Sequence, residues 1–370
     1  MSDKRIIPIV MPKWGLSMSE GKLASWLMKD GDTVKVGDQI LEVETDKIAG
    51  AVEAGDAGVL RRRIGQEDTV YPIKTLIGVV ADADVPDADI DAFVNSYVVP
   101  AAEEGEKETG PHYEFTDTAA GRLRYTKRGD GDNTVLLIHG FGGDLDNWLF
   151  NADALAEEAT VYALDLPGHG QSTKKVDEPT VTGLAKAVLS FMDTLKIAKA
   201  HLVGHSLGGA VAMEVARQAK SKVQSLTLIS SAGLGLDINM DYIDGFVTSA
   251  SRRDLKPVLE NLFADGSLVS RQMIDDLLKF KRLDGVGDAL TALKDSVFAG
   301  GRQAAMLADA LAASGVPALV IWGAEDKIVP AAHATAAKGA KVEVIEGAGH
   351  MVQMEQAGRV NGLIKVMISG

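Results

Sequence analysis

The chain contains no cysteine among its 370 residues. Disulfide staples, a thiolate nucleophile and cysteine metal ligands are therefore excluded. This agrees with a reducing compartment, and the expected localisation is cytoplasmic. No apolar run reaches the roughly 20 residues that span a bilayer. Met1-Ser2-Asp3-Lys4-Arg5 carries basic residues but leads into no cleavable apolar stretch, so neither a signal peptide nor a membrane partner is expected. A basic excess is missing too. The 52 Asp and Glu against 38 Lys and Arg leave a formal charge of −14, which argues against nucleic acid and serves solubility.

What is present has the balance of a globular protein, 46% hydrophobic and 24% charged residues. The length fits two or three domains. Residues 1–80 hold short strand-like runs such as Ile6-Ile7-Pro8-Ile9-Val10 and Gln39-Ile40-Leu41-Glu42-Val43-Glu44, punctuated by Gly and Asp. No helical period appears there, and a small all-β domain is expected. Residues 81–112 are acidic and poor in core formers, the composition of an extended linker. Within them, Ile90 to Val99 is apolar enough to dock, as a helix or as a strand.

From 113 to 370 apolar strands alternate with amphipathic helices. Thr134 to Ile138, Thr160 to Leu164, Ala200 to Val203, Ser225 to Ile229, Pro317 to Trp322 and Val342 to Ile345 read as the strands of a mostly parallel sheet covered by helices. Ligands meet such sheets at the carboxyl ends of their strands. Residues 236–313 interrupt the alternation with several helices, as a lid would.

Two motifs carry chemistry. Lys47 stands in Glu44-Thr45-Asp46-Lys47-Ile48, between two strand-like segments. A lysine that an enzyme must find and modify has to be presented, and a hairpin tip does this. Ser206 stands in Gly204-His205-Ser206-Leu207-Gly208, after an apolar strand and before a helical run, which is the strand–turn–helix setting of a Gly-x-Ser-x-Gly nucleophile. The N–H of Leu207 then opens a helix and suits an oxyanion. The loop His139-Gly140-Phe141-Gly142-Gly143 is positioned to give the second donor, the N–H of Phe141. Serine needs a base. His350, in Gly347-Ala348-Gly349-His350-Met351, follows the last strand. The acid comes from Gly323-Ala324-Glu325-Asp326-Lys327-Ile328-Val329-Pro330, with Asp326 expected and Glu325 the alternative.

The first 80 residues resemble a lipoyl domain, in the run Met11-Pro12-Lys13-Trp14-Gly15-Leu16-Ser17-Met18-Ser19-Glu20-Gly21 as well as around Lys47. The related biotin domains carry Met-Lys-Met, whereas here Asp46 and Ile48 flank the lysine. The remainder resembles an α/β-hydrolase, whose relatives share the Gly-x-x-Asp-x-x-x-Pro pattern at Asp326. The fusion is similar to the dihydrolipoyl acetyltransferase components of acetoin dehydrogenase complexes.

That resemblance implies lipoate on Lys47, an acetyl group passed through Ser206, and coenzyme A as acceptor. It also implies three partners: a thiamine-diphosphate-dependent acetoin dehydrogenase enzyme, dihydrolipoamide dehydrogenase and a lipoylating enzyme. An oligomer would follow from a core role. No coenzyme A signature is visible beyond arginines such as Arg252 and Arg253. The His-x-x-x-Asp-Gly ending of pyruvate-type acyltransferases is missing, as is a small basic partner-binding domain in 81–112. A serine esterase or thioesterase with an accessory lipoyl domain is the alternative, because its triad would read the same.

Overall fold

The computed structural model describes residues 5–12, 19–35, 38–44, 49–54, 56–97, 99 and 113–370. They fall into two compact units, Met1–Pro111 with Leu268–Asp276, and His112–Ser267 with Leu277–Gly370.

The first unit contains β1 (Ile6–Val10), β2 (Glu20–Trp26), β3 (Thr33–Val34), β4 (Gln39–Glu44), β5 (Ala49–Glu53), β6 (Gly58–Arg63), β7 (Thr69–Pro72) and β8 (Leu76–Ala81). They form two four-stranded antiparallel sheets, in the orders β1-β8-β6-β3 and β5-β4-β2-β7. Ile9, Leu60, Ile77 and Val80 from one sheet share a core with Leu23, Ile40, Leu41 and Val43 from the other. Strands that alternate inward and outward side chains can build such a core from short segments.

Part of the expected linker is folded. Asp87–Ser96 form helix α1, which resolves the alternative left open for this stretch. Ile90 is fully buried and packs with Phe93, Val94 and Tyr97 against Ile6, Leu76 and Val79. Arg61 reinforces the join, donating to the carbonyls of Asp82 and Val85 and to the Asp87 carboxylate. Arg62 donates to Asp91. An acidic helix with one apolar stripe has the composition of a linker until cations meet its carboxylates.

The second unit begins with β9 (Tyr113–Thr118), β10 (Gly121–Arg128), β11 (Asn133–Ile138), α2 (Ala152–Ala156), β12 (Ala159–Leu164), α3 (Val181–Thr194), β13 (Ala200–His205), α4 (Leu207–Gln218) and β14 (Val223–Ile229). In chain order an insertion follows, with α5 (Met240–Thr248), α6 (Arg252–Leu259), α7 (Arg271–Lys281, of which residues 271–276 are grouped with the first unit), α8 (Val286–Val297) and α9 (Ala308–Ser314). The chain then returns to the sheet as β15 (Ala318–Gly323) and β16 (Lys341–Ile345), and ends with α10 (Val352–Glu355) and α11 (Ala357–Ser369).

The eight strands run β16-β15-β14-β13-β11-β12-β10-β9. From β12 to β16 every pairing is parallel, while β10 is antiparallel to both β9 and β12. Val135, Leu136, Leu137 and Ile138 of β11 are all fully buried, as a central strand with both faces covered requires. Val135 and Leu137 pack with Leu155, Val352, Val360 and Ile364 of α2, α10 and α11. Helix α4 lies against β13 and β14, with α3 beside it. Among the described residues, no helix is long and apolar enough to cross a membrane.

Candidate active site

Ser206, the candidate nucleophile, sits on a strained turn. Strand β13 ends at His205, Ser206 takes φ 52° and ψ −118°, and Leu207 opens α4. A non-glycine residue at positive φ costs on the order of 1–3 kcal/mol and persists only where its surroundings hold it. Here the Ser206 N–H donates to the Ile229 carbonyl at 2.9 Å, and its carbonyl accepts from Gly209 and Ala232, each at 3.0 Å. The glycines around it are required by close approach. A Cβ on Gly204 would lie 2.3 Å from the Gly208 carbonyl oxygen, and one on Gly208 would lie 2.1 Å from that of Ile138.

Asp326 and His350 meet directly. His350 Nδ1 lies 2.8 Å from Asp326 Oδ2, with the imidazole 3% exposed and the carboxylate fully buried. The other oxygen, Oδ1, accepts from the N–H groups of Ile328 at 2.8 Å and Val329 at 3.0 Å. Burial pushes the Asp326 pKa up, but the attraction and hydrogen bond of His350, with the two N–H donors, outweigh it and hold the group below its usual value. An ionised Asp326 requires the proton on Nδ1, which leaves Nε2 of His350 as the free base.

The neighbouring carboxylate has another task. Glu325 accepts from the N–H groups of Gly347 at 3.1 Å and Ala348 at 2.9 Å. It therefore braces the loop that carries His350.

Ser206 is linked to His350 through its chain neighbour. His205 Nε2–H donates to the His350 carbonyl at 2.9 Å, and the two rings lie 4.7 Å apart. Burial, and then the nearby His350, lower the His205 pKa to about 3, so the ring is neutral and structural.

The glycine loop passes close to Ser206. A Cβ on Gly140 would lie 3.0 Å from Ser206 Cβ. His139 shapes the loop, with Nδ1–H donating to the Gly140 carbonyl and Nε2 accepting from the Leu166 N–H. Buried Asp165 ties the surroundings together, accepting from Leu145 at 2.9 Å, from Gln171 at 2.7 Å and from Arg124 at 2.5 Å. Phe141, at the centre of the loop, is buried against Phe246, Phe298 and His169. The sequence carried no sign of Asp165 in this role, because its partners come from three separate segments.

The remaining expected residues lie elsewhere. Arg252 and Arg253 are exposed in the first turn of α6. Lys47 lies outside the described residues. The strands on either side of it, β4 and β5, pair antiparallel, with Glu44 opposite Ala49. No group of three or more metal-ligating side chains occurs among the described residues.

Comparison with known proteins agrees with both halves. Residues 133–357 match the family model of the alpha/beta hydrolase fold, and residues 7–76 match that of biotin-requiring enzymes. The chain is 55% identical over 366 residues to the dihydrolipoyllysine-residue acetyltransferase component of the acetoin cleaving system of Cupriavidus necator, covering 99% of this chain and 98% of that protein. The chain belongs to this acetyltransferase family. The corresponding component of Pseudomonas putida is 48% identical, covering 96% of this chain and 97% of that protein. Among solved structures, a meta-cleavage product hydrolase from Pseudomonas fluorescens has a TM-score of 0.64 at 24% identity over 69% of this chain and 97% of that one. At that identity the likeness speaks for the fold. As a family member of this fold, the chain is an enzyme, an acyltransferase that works through an acyl-enzyme intermediate.

Proposed function

We propose that Ser206, His350 and Asp326 transfer an acetyl group, delivered on Lys47, to coenzyme A. The observation that carries this reading is the buried Asp326–His350 pair beside the strained Ser206 turn, in a chain that also contains a carrier-type strand pair. Lipoate attached to Lys47 supplies the acetyl thioester. The Ser206 hydroxyl attacks the thioester carbonyl carbon while His350 Nε2 takes the hydroxyl proton. The N–H groups of Phe141 and Leu207 hold the oxygen as it becomes anionic. The carbon–sulfur bond breaks, the thiol leaves with the proton from His350, and the acetyl group remains as an ester on Ser206. The thiol of coenzyme A then gives its proton to His350 and attacks that ester; the bond from the acetyl carbon to the Ser206 oxygen breaks, His350 returns the proton to that oxygen, and acetyl-CoA leaves. Asp326 fixes the imidazole tautomer and stabilises the imidazolium in both halves.

In this reading residues 1–80 with α1 form the carrier domain, 113–370 the transferase domain and 236–313 its lid. The upstream partner is a thiamine-diphosphate-dependent acetoin dehydrogenase enzyme, and dihydrolipoamide dehydrogenase reoxidises the carrier. A lipoylating enzyme modifies Lys47. The chain works in the cytoplasm, in keeping with its lack of cysteine. Incubation with acetyl-dihydrolipoamide and no acceptor tests the serine route. Mass spectrometry is expected to find acetyl on the peptide bearing Ser206, and none in Ser206→Ala. Acetyl transfer at the normal rate by Ser206→Ala would rule the route out.

A further inference from the structure

Glu355 closes α10, five residues after His350, and its two carboxylate oxygens hold two distant parts of the chain. Oε2 accepts from the N–H of Gly349, the residue before His350, at 2.7 Å. Oε1 accepts from the N–H of Ala264, in the insertion, at 2.8 Å. On the other side of His350, the Met351 N–H donates to the Leu262 carbonyl at 3.0 Å. The contact is close, since a Cβ on Gly349 would lie 2.6 Å from Ala264 N and 2.7 Å from the Phe263 carbonyl carbon. A strap, residues 262–264, is therefore laid against the backbone that flanks the base.

The acid loop holds the same strap. Lys327, next to Asp326, donates to the carbonyls of Phe263 at 3.2 Å and Ala264 at 3.4 Å. Elsewhere in the insertion, on either side of the strap in sequence, Phe246 and Phe298 sit against Phe141 of the glycine loop, with ring centroids 6.0 and 5.5 Å away. The insertion thus contacts the glycine loop and both loops that carry His350 and Asp326. Glu355 bonds the strap and the His350 loop at once. A neutral isostere cannot copy it, because glutamine has a single acceptor oxygen and turns an NH₂ toward the second N–H.

We propose that Glu355 is a positioning residue that couples the strap to His350, holding the insertion closed over acyl-Ser206 so that a thiol, and not water, takes the acetyl group. The inference rests on the acyl-transfer reading above. Water exclusion is what separates a transferase from a hydrolase built on the same triad.

The test uses the full chain, lipoylated and acetyl-loaded, with coenzyme A present, and follows acetyl-CoA and acetate together. Glu355→Gln is expected to raise the acetate share at least tenfold, while acylation of Ser206 by an activated acetate ester slows less than threefold. Glu355→Asp should recover part of the wild-type ratio. Lys327→Met releases the strap without touching the bonds to Gly349, and should move the ratio the same way even if Glu355→Gln does not fold. Folded variants that keep the wild-type ratio, or failure of both to fold, overturn the inference and leave the transfer reading intact. Acetate release from wild type regardless of coenzyme A overturns the transfer reading and this inference with it.

Discussion

His205 Nε2–H donates to the His350 carbonyl across 2.9 Å, so the residue before Ser206 holds the backbone of His350, the proposed base. Replacing His205 by alanine removes that bond and leaves a buried carbonyl without its donor, at a cost of roughly 1–3 kcal/mol. The expected result is a fall in kcat of roughly tenfold to a hundredfold with a small change in KM. His205→Gln, whose amide keeps a donor, should recover part of the rate. A variant with alanine at this position and wild-type kcat would contradict the arrangement.

The same histidine gives a dependence on pH. Its folded value of about 3 lies below the 6.5 of an unburied imidazole, with burial the main cause. Stability from keeping it neutral is complete above about pH 6.5 and is lost as pH falls toward the folded value, because the unfolded chain takes up the proton first. Burial lowers His139, His169 and His201 as well, so they act in the same direction. Denaturant titrations of the whole chain between pH 7 and pH 4 should show falling stability. In His205→Gln the slope below pH 6 should be shallower by about 1.4 kcal/mol per pH unit. Parallel slopes would refute a neutral His205 in the folded state.

Asp326 and Glu325 are adjacent but bonded to different partners, which predicts different losses. Asp326→Asn removes the charge beside the His350 imidazole and favours the wrong tautomer, so kcat should fall roughly a thousandfold or more. Glu325→Gln weakens the bracing of the Gly347–Ala348 backbone, and should cost stability with less than tenfold loss of kcat. The two single variants, compared by acetylation rate and by thermal melting, check this. Equal losses of rate would show that the assignment of the acid is wrong.

Gly208 and Gly140 separate folding from catalysis. A Cβ on Gly208 would come 2.1 Å from a backbone oxygen of β11 that has no room to yield. Gly208→Ala should destabilise the transferase domain by more than about 3 kcal/mol, in the range that marks a backbone clash. At Gly140 the nearest atom is Ser206 Cβ, 3.0 Å away. Gly140→Ala should fold, and lose activity by displacing the nucleophile. A stable, soluble Gly208→Ala would refute the close approach of α4 to β11.

The parts legible in the sequence were those with local signals. Continuous apolar strands, a glycine-flanked serine after one of them and a histidine after the last are each contained within about ten residues, and the fold repeats them in register. The fold could be read because β11 and β13 needed no distant partner to be recognised as buried strands. The Asp326–His350 contact could be anticipated from the order of the motifs, since each residue sits at a strand end. Long-range polar chemistry was not legible. Arg61 and Arg62 turn an acidic stretch into a docked helix from more than 20 positions away. Glu355 has no distinguishing neighbour in sequence, and its role comes from Ala264, 91 residues distant. Such bonds depend on packing that no local pattern encodes.

The central claim is that one chain both carries the acetyl group and transfers it. Lipoylated, reduced, acetyl-loaded protein, mixed with coenzyme A and assayed for acetyl-CoA and acetate together, tests it most directly. The account predicts acetyl-CoA from the wild-type chain only when coenzyme A is present, and none from Lys47→Ala or Ser206→Ala. Acetate released at one rate with and without coenzyme A would contradict it and make the chain a hydrolase.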